Sequence, residues 1–258
     1  MKKLLLATSV LAANAVAAHA QVAPPVYNWT GFYIGAHVGG GMMNSPFGVS
    51  TTESLNTFAA AAIMSSSNLG GSNGTGAVAG GQFGYNYQQG NWVFGVEGEG
   101  FWSGMNLTSN SHSFYTSTGA VTSASGTSVT NTSDFTLAGR LGIAFDRTLI
   151  FGKGGWAWGD HKFDAFSTCC GLTPRTSTAN ASGTLDGLLL GIGIEHALMR
   201  NVTVKFEYDH IGFGAKELTI TQCPGTIGSV CAPSGTASFS STKQIFKVGA
   251  NYLFNVGP

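Results

Sequence analysis

The sequence predicts an all-β fold: an eight-stranded antiparallel transmembrane β-barrel with long external loops and short periplasmic turns. Three observations carry this. Charged residues make up only 9% of the chain, against about 25% in ordinary soluble domains. Past the N-terminus, no apolar run approaches the ~20 residues that a helix needs to cross a bilayer. Finally, apolar and polar residues alternate in eight stretches, and the connections between them are alternately long and short. A closed barrel is the spanning structure, besides the helix, that leaves no backbone donor or acceptor facing lipid.

The first element is an export leader at residues 1–20. Lys2 and Lys3 supply a positive start, Leu4 to Ala18 an apolar stretch, and Ala18-His19-Ala20 a small-residue cleavage site. Cleavage between Ala20 and Gln21 leaves 258 − 20 = 238 residues, which suits one domain. Residues 21–28 read as a periplasmic linker and 29–258 as the barrel domain. Export together with a membrane barrel places the protein in the cell outer membrane of a Gram-negative envelope, in contact with lipid and lipopolysaccharide. The net charge of zero gives no reason to expect a nucleic-acid partner.

Period-2 alternation marks strands at about 29–40, 76–87, 92–102, 134–145, 149–159, 185–197, 202–213 and 243–254. The short connections are Gln88 to Asn91, Asp146 to Thr148 and Met199 to Asn201. The long ones, 42–75, 103–133, 160–184 and 214–242, are rich in Ser, Thr, Asn, Gly and Ala. Short periplasmic turns with long external loops are the expected asymmetry of such a barrel. All seven prolines fall outside these eight stretches, as a hydrogen-bonded ladder requires. The composition of the long connections fits mobile loops and ordered surface structure equally well.

Charge parity assigns the faces. Phe135, Leu137, Leu141 and Ile143 oppose Arg140; Val204, Phe206 and Tyr208 oppose Lys205, Glu207 and Asp209; Phe246, Val248, Tyr252 and Phe254 oppose Lys243, Lys247 and Asn251. A Lys or Arg facing lipid at the bilayer midplane costs about 2–4 kcal/mol, so the apolar stripe points outward and the charges inward. Leu149 and Phe151 break the pattern by sharing the face of Lys153, Leu189 shares that of Glu195, and Asp186 has lipid-face parity. Aromatic girdles are expected from Trp92, Tyr87, Phe145, Tyr252 and Phe254 at the periplasmic rim. Trp102, Trp158 and Tyr208 lie nearer the outer one.

An eight-stranded barrel is just wide enough for side chains to fill it. The inward set is Glu97, Glu99, Glu195, Glu207 and Asp209 against Arg140, Lys153, Lys205 and Lys247. Buried charges survive when paired, so a salt-bridged plug is expected and an open pore is not. Gly35, Gly95, Gly142, Gly191, Gly193 and Gly249 would leave room for the long side chains.

Other chemistry is thinner. The pair Glu97 and Glu99 has the parity of a glycosidase couple, but ion pairing explains it better. His196 and His210 lack a serine partner at catalytic spacing, so no enzyme is expected. Cys169, Cys170, Cys223 and Cys231 lie in the third and fourth long connections without C-x-x-C spacing. In an exported protein they point to disulfides rather than zinc. Three full pairings are open, the vicinal one being the most strained. No cofactor is expected, although His112, Tyr115 and His161 are candidates for hemin binding in or beside the external loops.

Four segments together carry a resemblance: "YNWTGFYIGAHVGG" at 27–40, "GVEGEG" at 95–100, "GIGIEHALMRNVTVKFEYDHIGFG" at 191–214 and "KVGANYLF" at 247–254. The chain resembles the small outer-membrane β-barrel surface antigens of alphaproteobacteria, the "porin family". These are related in architecture to the OmpA transmembrane domain and to OmpX. The resemblance spans all eight strands. It implies envelope integrity and surface exposure, and in some members binding of hemin or a host surface, or slow permeation. It also implies that Lys247, Gly249, Tyr252 and Phe254 are similar to the terminal signal read by the barrel-assembly machinery, where the last strand pairs with a foreign sheet edge. Asn255 to Pro258 follow the aromatic that usually ends that signal.

Overall fold

The computed structural model describes residues 27–44, 47–48, 73–114, 121–169, 175–223 and 231–255. The leader with Ala20 and Gln21 lies outside them. The strands are β1 (Gly31–Asn44), β2 (Phe47–Gly48), β3 (Asn73–Gln89), β4 (Trp92–Ser103), β5 (Asn106–Phe114) and β6 (Val121–Phe145). They continue with β7 (Thr148–Cys169), β8 (Arg175–Ala197), β9 (Val202–Cys223) and β10 (Ala232–Asn255).

Every neighbouring pair is antiparallel, and β1 pairs with β10 to close the ring. Both β4 and β5 pair with β6. They form one stave interrupted at Gly104 and Met105, where Gly104 N donates to Ala77 O at 2.9 Å. Among the described residues the staves therefore number eight, as the periodicity predicted. β2 is a short addition to β10.

The register fixes the geometry. Stepping across the ladders from Trp158 leads to Phe135, Gly100, Gly81, Ala36, Ala250, Val204, His196 and back to β7 at Thr148. The circuit returns displaced by 158 − 148 = 10 residues. For eight strands that stagger tilts them by about 40°, so each residue climbs roughly 2.5 Å along the axis. The ten residues from Thr148 to Trp158 then rise about 25 Å, the height of the apolar band of an outer-membrane barrel.

The outward face over this height is apolar and bare. Phe32, Phe83, Val96, Leu137, Ile192, Phe206 and Phe246 are all exposed by half or more. In water such a belt would be an aggregation surface; against acyl chains it is matched.

The strands run further than the sequence alone indicated. β6 has 25 residues, β8 23 and β10 24, where about 9–11 suffice to cross. Much of what reads as long external loops, at 121–133, 160–169, 175–184, 214–223 and 232–242, is continuous strand. The reason is visible in "HKFDAF" at 161–166, where His161, Phe163 and Ala165 are buried and Lys162, Asp164 and Phe166 exposed. The ladder keeps its alternation with polar residues outside. Pro233 accordingly sits in β10, at the register shift between Pro233 and Gly235, a bulge position that tolerates it. The β8–β9 ladder lapses between Asn180 and Gly187, where Lys216 Nζ donates to Thr184 O at 2.8 Å.

Nor are Tyr27 and Asn28 a bare linker ahead of the barrel. Tyr27 and Trp29 are buried across the periplasmic mouth. Tyr27 Oη donates to Arg200 O at 3.0 Å, Trp29 Nε1 to Asp146 O at 3.3 Å, and Trp29 N to Gln88 Oε1 at 2.8 Å. One segment thus touches all three periplasmic turns.

Candidate functional site

The candidate site is the lumen, which is stacked in three layers. The floor is apolar: Tyr27, Trp29, Tyr33, Val93, Leu149, Phe151 and Leu253 form one buried cluster. Above the charged layer a second apolar cluster runs up into the external extension and includes Met43, Val78, Phe101, Phe163, Leu189 and Phe239. This resolves the parity exceptions. Leu149 and Phe151 belong to the floor and Leu189 to the upper column, while Asp186 is exposed beside Trp158 at the outer girdle.

Between these layers lies the ion network, near mid-bilayer by the axial arithmetic above. Lys153 Nζ is 2.6 Å from Glu207, 3.1 Å from Glu99, 3.2 Å from Asp209 and 3.4 Å from Glu97. Lys247 Nζ is 2.5 Å from both Glu99 and Asp209 and 2.9 Å from Glu207. Lys205 Nζ bridges Glu207 at 3.0 Å and Glu97 at 3.4 Å.

Arg140 pairs with Glu195 and lies 3.7 Å over the Phe151 ring. Glu195 also accepts from Thr203 at 2.5 Å and Asn251 at 2.8 Å. Asp209 is held by charge alone, since neither lysine approaches it with hydrogen-bond geometry. All nine residues that the sequence assigned to the lumen are buried here.

Tyr33, His37 and Gln82, which sequence reasoning had not singled out, complete the layer with Asn251, whose inward parity it had read. Tyr33 Oη donates to Glu97 at 2.8 Å. His37 Nδ1 faces two oxygen acceptors, Gln82 Oε1 at 2.7 Å and Glu99 at 3.3 Å, so it carries a proton. Gln82 Nε2 donates on to Asn251 at 2.7 Å. Higher up, Lys243 pairs with Asp134 at 2.6 and 2.8 Å beneath the Phe213 ring. The signal for Tyr33 and His37 was their shared inward parity on β1, masked by the five glycines of that strand.

Glycines make the room. A Cβ on Gly191 would stand 2.2 Å from Asp209 Oδ1 and 2.9 Å from Lys153 Cγ. On Gly35 it would stand 2.1 Å from Asn251 and 2.6 Å from Gln82.

Glu97, Glu99 and Glu207 bring carboxylate oxygens within 4.8 Å of one another, close enough to hold a cation. The cation there is the Lys153 ammonium, which touches all three. With Lys205 and Lys247 beside it, that ammonium leaves each of the three acids paired to at least two cations.

The other candidates are dispersed. His161 is a correction: it is buried inside β7 rather than loop-borne, with Nδ1 3.1 Å from Gly159 O and Nε2 3.2 Å from Ser241 Oγ. His112 lies on β5 with its side chain outside the described residues, as does all of Tyr115. His196 and His210 face outward, His196 beside Thr148 at 3.0 Å.

Cys223 is bonded to Cys231, with Cα atoms 4.1 Å apart. Cys170 and the side chain of Cys169 lie outside the described residues. In β10, Lys247 and Gly249 face the lumen while Tyr252 and Phe254 are half exposed on the lipid side, with Phe254 registered opposite Phe32.

The family model described as the outer membrane protein beta-barrel domain matches residues 4–254. The chain belongs to this family. It is 32% identical over 262 residues to the 31 kDa outer-membrane immunogenic protein of Brucella melitensis, covering 97% of this chain and 95% of that one. It is 28% identical over 134 residues to the 22 kDa outer membrane protein of Rhizobium leguminosarum bv. viciae, covering 52% and 51%. Among solved structures, the outer membrane protease OmpT of Escherichia coli aligns at 9% identity and TM-score 0.49, over 88% of this chain and 98% of that one. The protein is an outer-membrane β-barrel, related to an outer-membrane immunogenic protein.

Proposed function

We propose that this barrel acts mechanically and as a displayed surface, without catalysis and without conducting solutes. The observation that carries the reading is the lumen. Charged groups at mid-bilayer are paired among themselves and capped above and below by apolar clusters. An enzyme needs a polar group within reach of substrate, and a channel needs a continuous wet path. The stacked side chains of the lumen, among the described residues, support neither. The extension above the girdle presents the polar wall that meets the cell's surroundings.

Assembly belongs to the same proposal. β10 ends in the outward aromatics Tyr252 and Phe254 and makes the closing ladder with β1. This strand is the edge that the assembly machinery would hold until closure. The test is conductance in planar bilayers of protein shown to be folded by heat-modifiable gel migration. Silence at moderate voltage is expected. Reproducible stepwise currents would discard the sealed-lumen reading.

A further inference from the structure

The outward face of β7 changes chemistry with height. Ile150, Trp156 and Trp158 meet lipid; Asp160, Lys162, Asp164 and Phe166 follow, all exposed. At about 2.5 Å per residue, Lys162 stands roughly 10 Å above the Trp158 girdle, and Asp164 and Phe166 roughly 15–20 Å above it. Asp160 is tied to Thr184 at 2.7 Å and Ser133 at 3.3 Å, whereas Lys162 forms no salt bridge among the described residues.

At the level of Asp164 and Phe166 the wall holds a depression of about 280 Å³, just below the ~300–1,000 Å³ typical of small-ligand sites. Its floor is two registered rows. Phe166 lies between Gly126 and Thr178, and Asp164 between Ser128 and Asn180. Phe166 is 40% exposed, and its β6 neighbour has no side chain to cover the ring. Around one aromatic ring, therefore, stand the hydroxyls of Thr108, Ser128 and Thr178, a carboxamide and a carboxylate. There is no cation among them. Such a set suits neutral vicinal hydroxyls over an apolar ring face, and it suits phosphate poorly.

We infer that this depression binds a pyranose of the core oligosaccharide of lipopolysaccharide in the same leaflet. The depression opens sideways, along the membrane plane. In an outer leaflet the layers above the acyl chains are phosphorylated glucosamine and then sugar, and the wall repeats that order as aromatic girdle, Lys162 and the Phe166 depression. The inference rests on the outer-membrane reading and adds a ligand class to it.

The experiment uses full-length protein refolded in detergent. The ligand is core oligosaccharide freed from rough lipopolysaccharide by mild acid, followed by saturation-transfer NMR titration. Saturable binding is expected, weakened about five- to tenfold by Phe166→Ala or Asn180→Ala and unchanged by Phe135→Ala at the girdle. Heat-modifiable migration of each variant separates loss of the sugar site from loss of the barrel. Folded wild type that shows no saturable response, or that binds as tightly with Phe166→Ala, overturns the inference. So does a response to soluble host-type glycans with none to the core.

Discussion

Replacing Lys153 by Met probes the lumen most sharply. Its ammonium lies within 3.4 Å of four carboxylates, those of Glu97, Glu99, Glu207 and Asp209. At an effective dielectric constant of 20, one unit pair at 3 Å is worth about 5 kcal/mol, and burying the ammonium offsets several kcal/mol of that. The larger effect comes from what stays behind. Five carboxylates facing four cations become five facing three: Glu97 Oε1 loses its cation, and Glu99, Glu207 and Asp209 are left to share Lys247, with Lys205 reaching only Glu207 among them. Breaking a buried pair in this way costs about 3–5 kcal/mol, a large share of a typical 5–15 kcal/mol. Urea unfolding in liposomes, read by tryptophan emission and by gel migration, measures the loss. Adding Glu207→Gln to Lys153→Met restores the charge balance and should return about 2 kcal/mol or more. A loss below about 1 kcal/mol for Lys153→Met, the worth of a solvated ion pair, would mean that water fills the lumen and would refute the dry, paired network.

Three further outcomes follow from the same packing. Gly191→Ala pushes a methyl against Asp209 and the Lys153 stem and should cost about 1–3 kcal/mol in the same unfolding assay, whereas Gly152→Ala, which faces lipid, should cost less than 1 kcal/mol. Burial, aided by the Glu195 charge, pushes Tyr27 up to about 12 from an ordinary 10. The folded state then favours its neutral form, so the stabilisation is complete below pH 10 and drains away as pH rises through about 12; Tyr27→Phe should flatten that alkaline loss in a pH series of unfolding midpoints. Trp29→Ala removes a nearly fully buried ring from the mouth and should cost about 3–5 kcal/mol, whereas an unchanged midpoint would show the N-terminal segment to be detached.

Much of the transmembrane half was legible because lipid punishes misplaced charge. The inward parity of Glu97, Glu99, Lys205, Glu207, Asp209 and Lys247 is readable from alternation alone, and so are the short turns at 88–91, 146–148 and 199–201. Above the membrane that penalty vanishes. Serine and threonine then serve outside as well as turn residues do, so the continuation of β6 to β10 hides in composition. The apolar column survives there only as scattered inward residues such as Phe163, Leu185, Ile220 and Phe239. Leu149, Phe151 and Leu189 misled for a related reason: the lumen is charged in one layer only, and a parity rule carries no information about height. The burial of His161 depends on β7 running past Asp160, which its loop-like surroundings concealed.

The most direct test of the whole account is a spin-label scan of positions 203 to 210 in bilayers, with the four native cysteines replaced by serine. Oxygen should reach labels at 204, 206, 208 and 210, while labels at 203, 205, 207 and 209 should be shielded from both oxygen and a water-soluble nickel chelate. Collision of the chelate with the odd positions would show a wet lumen and contradict the account.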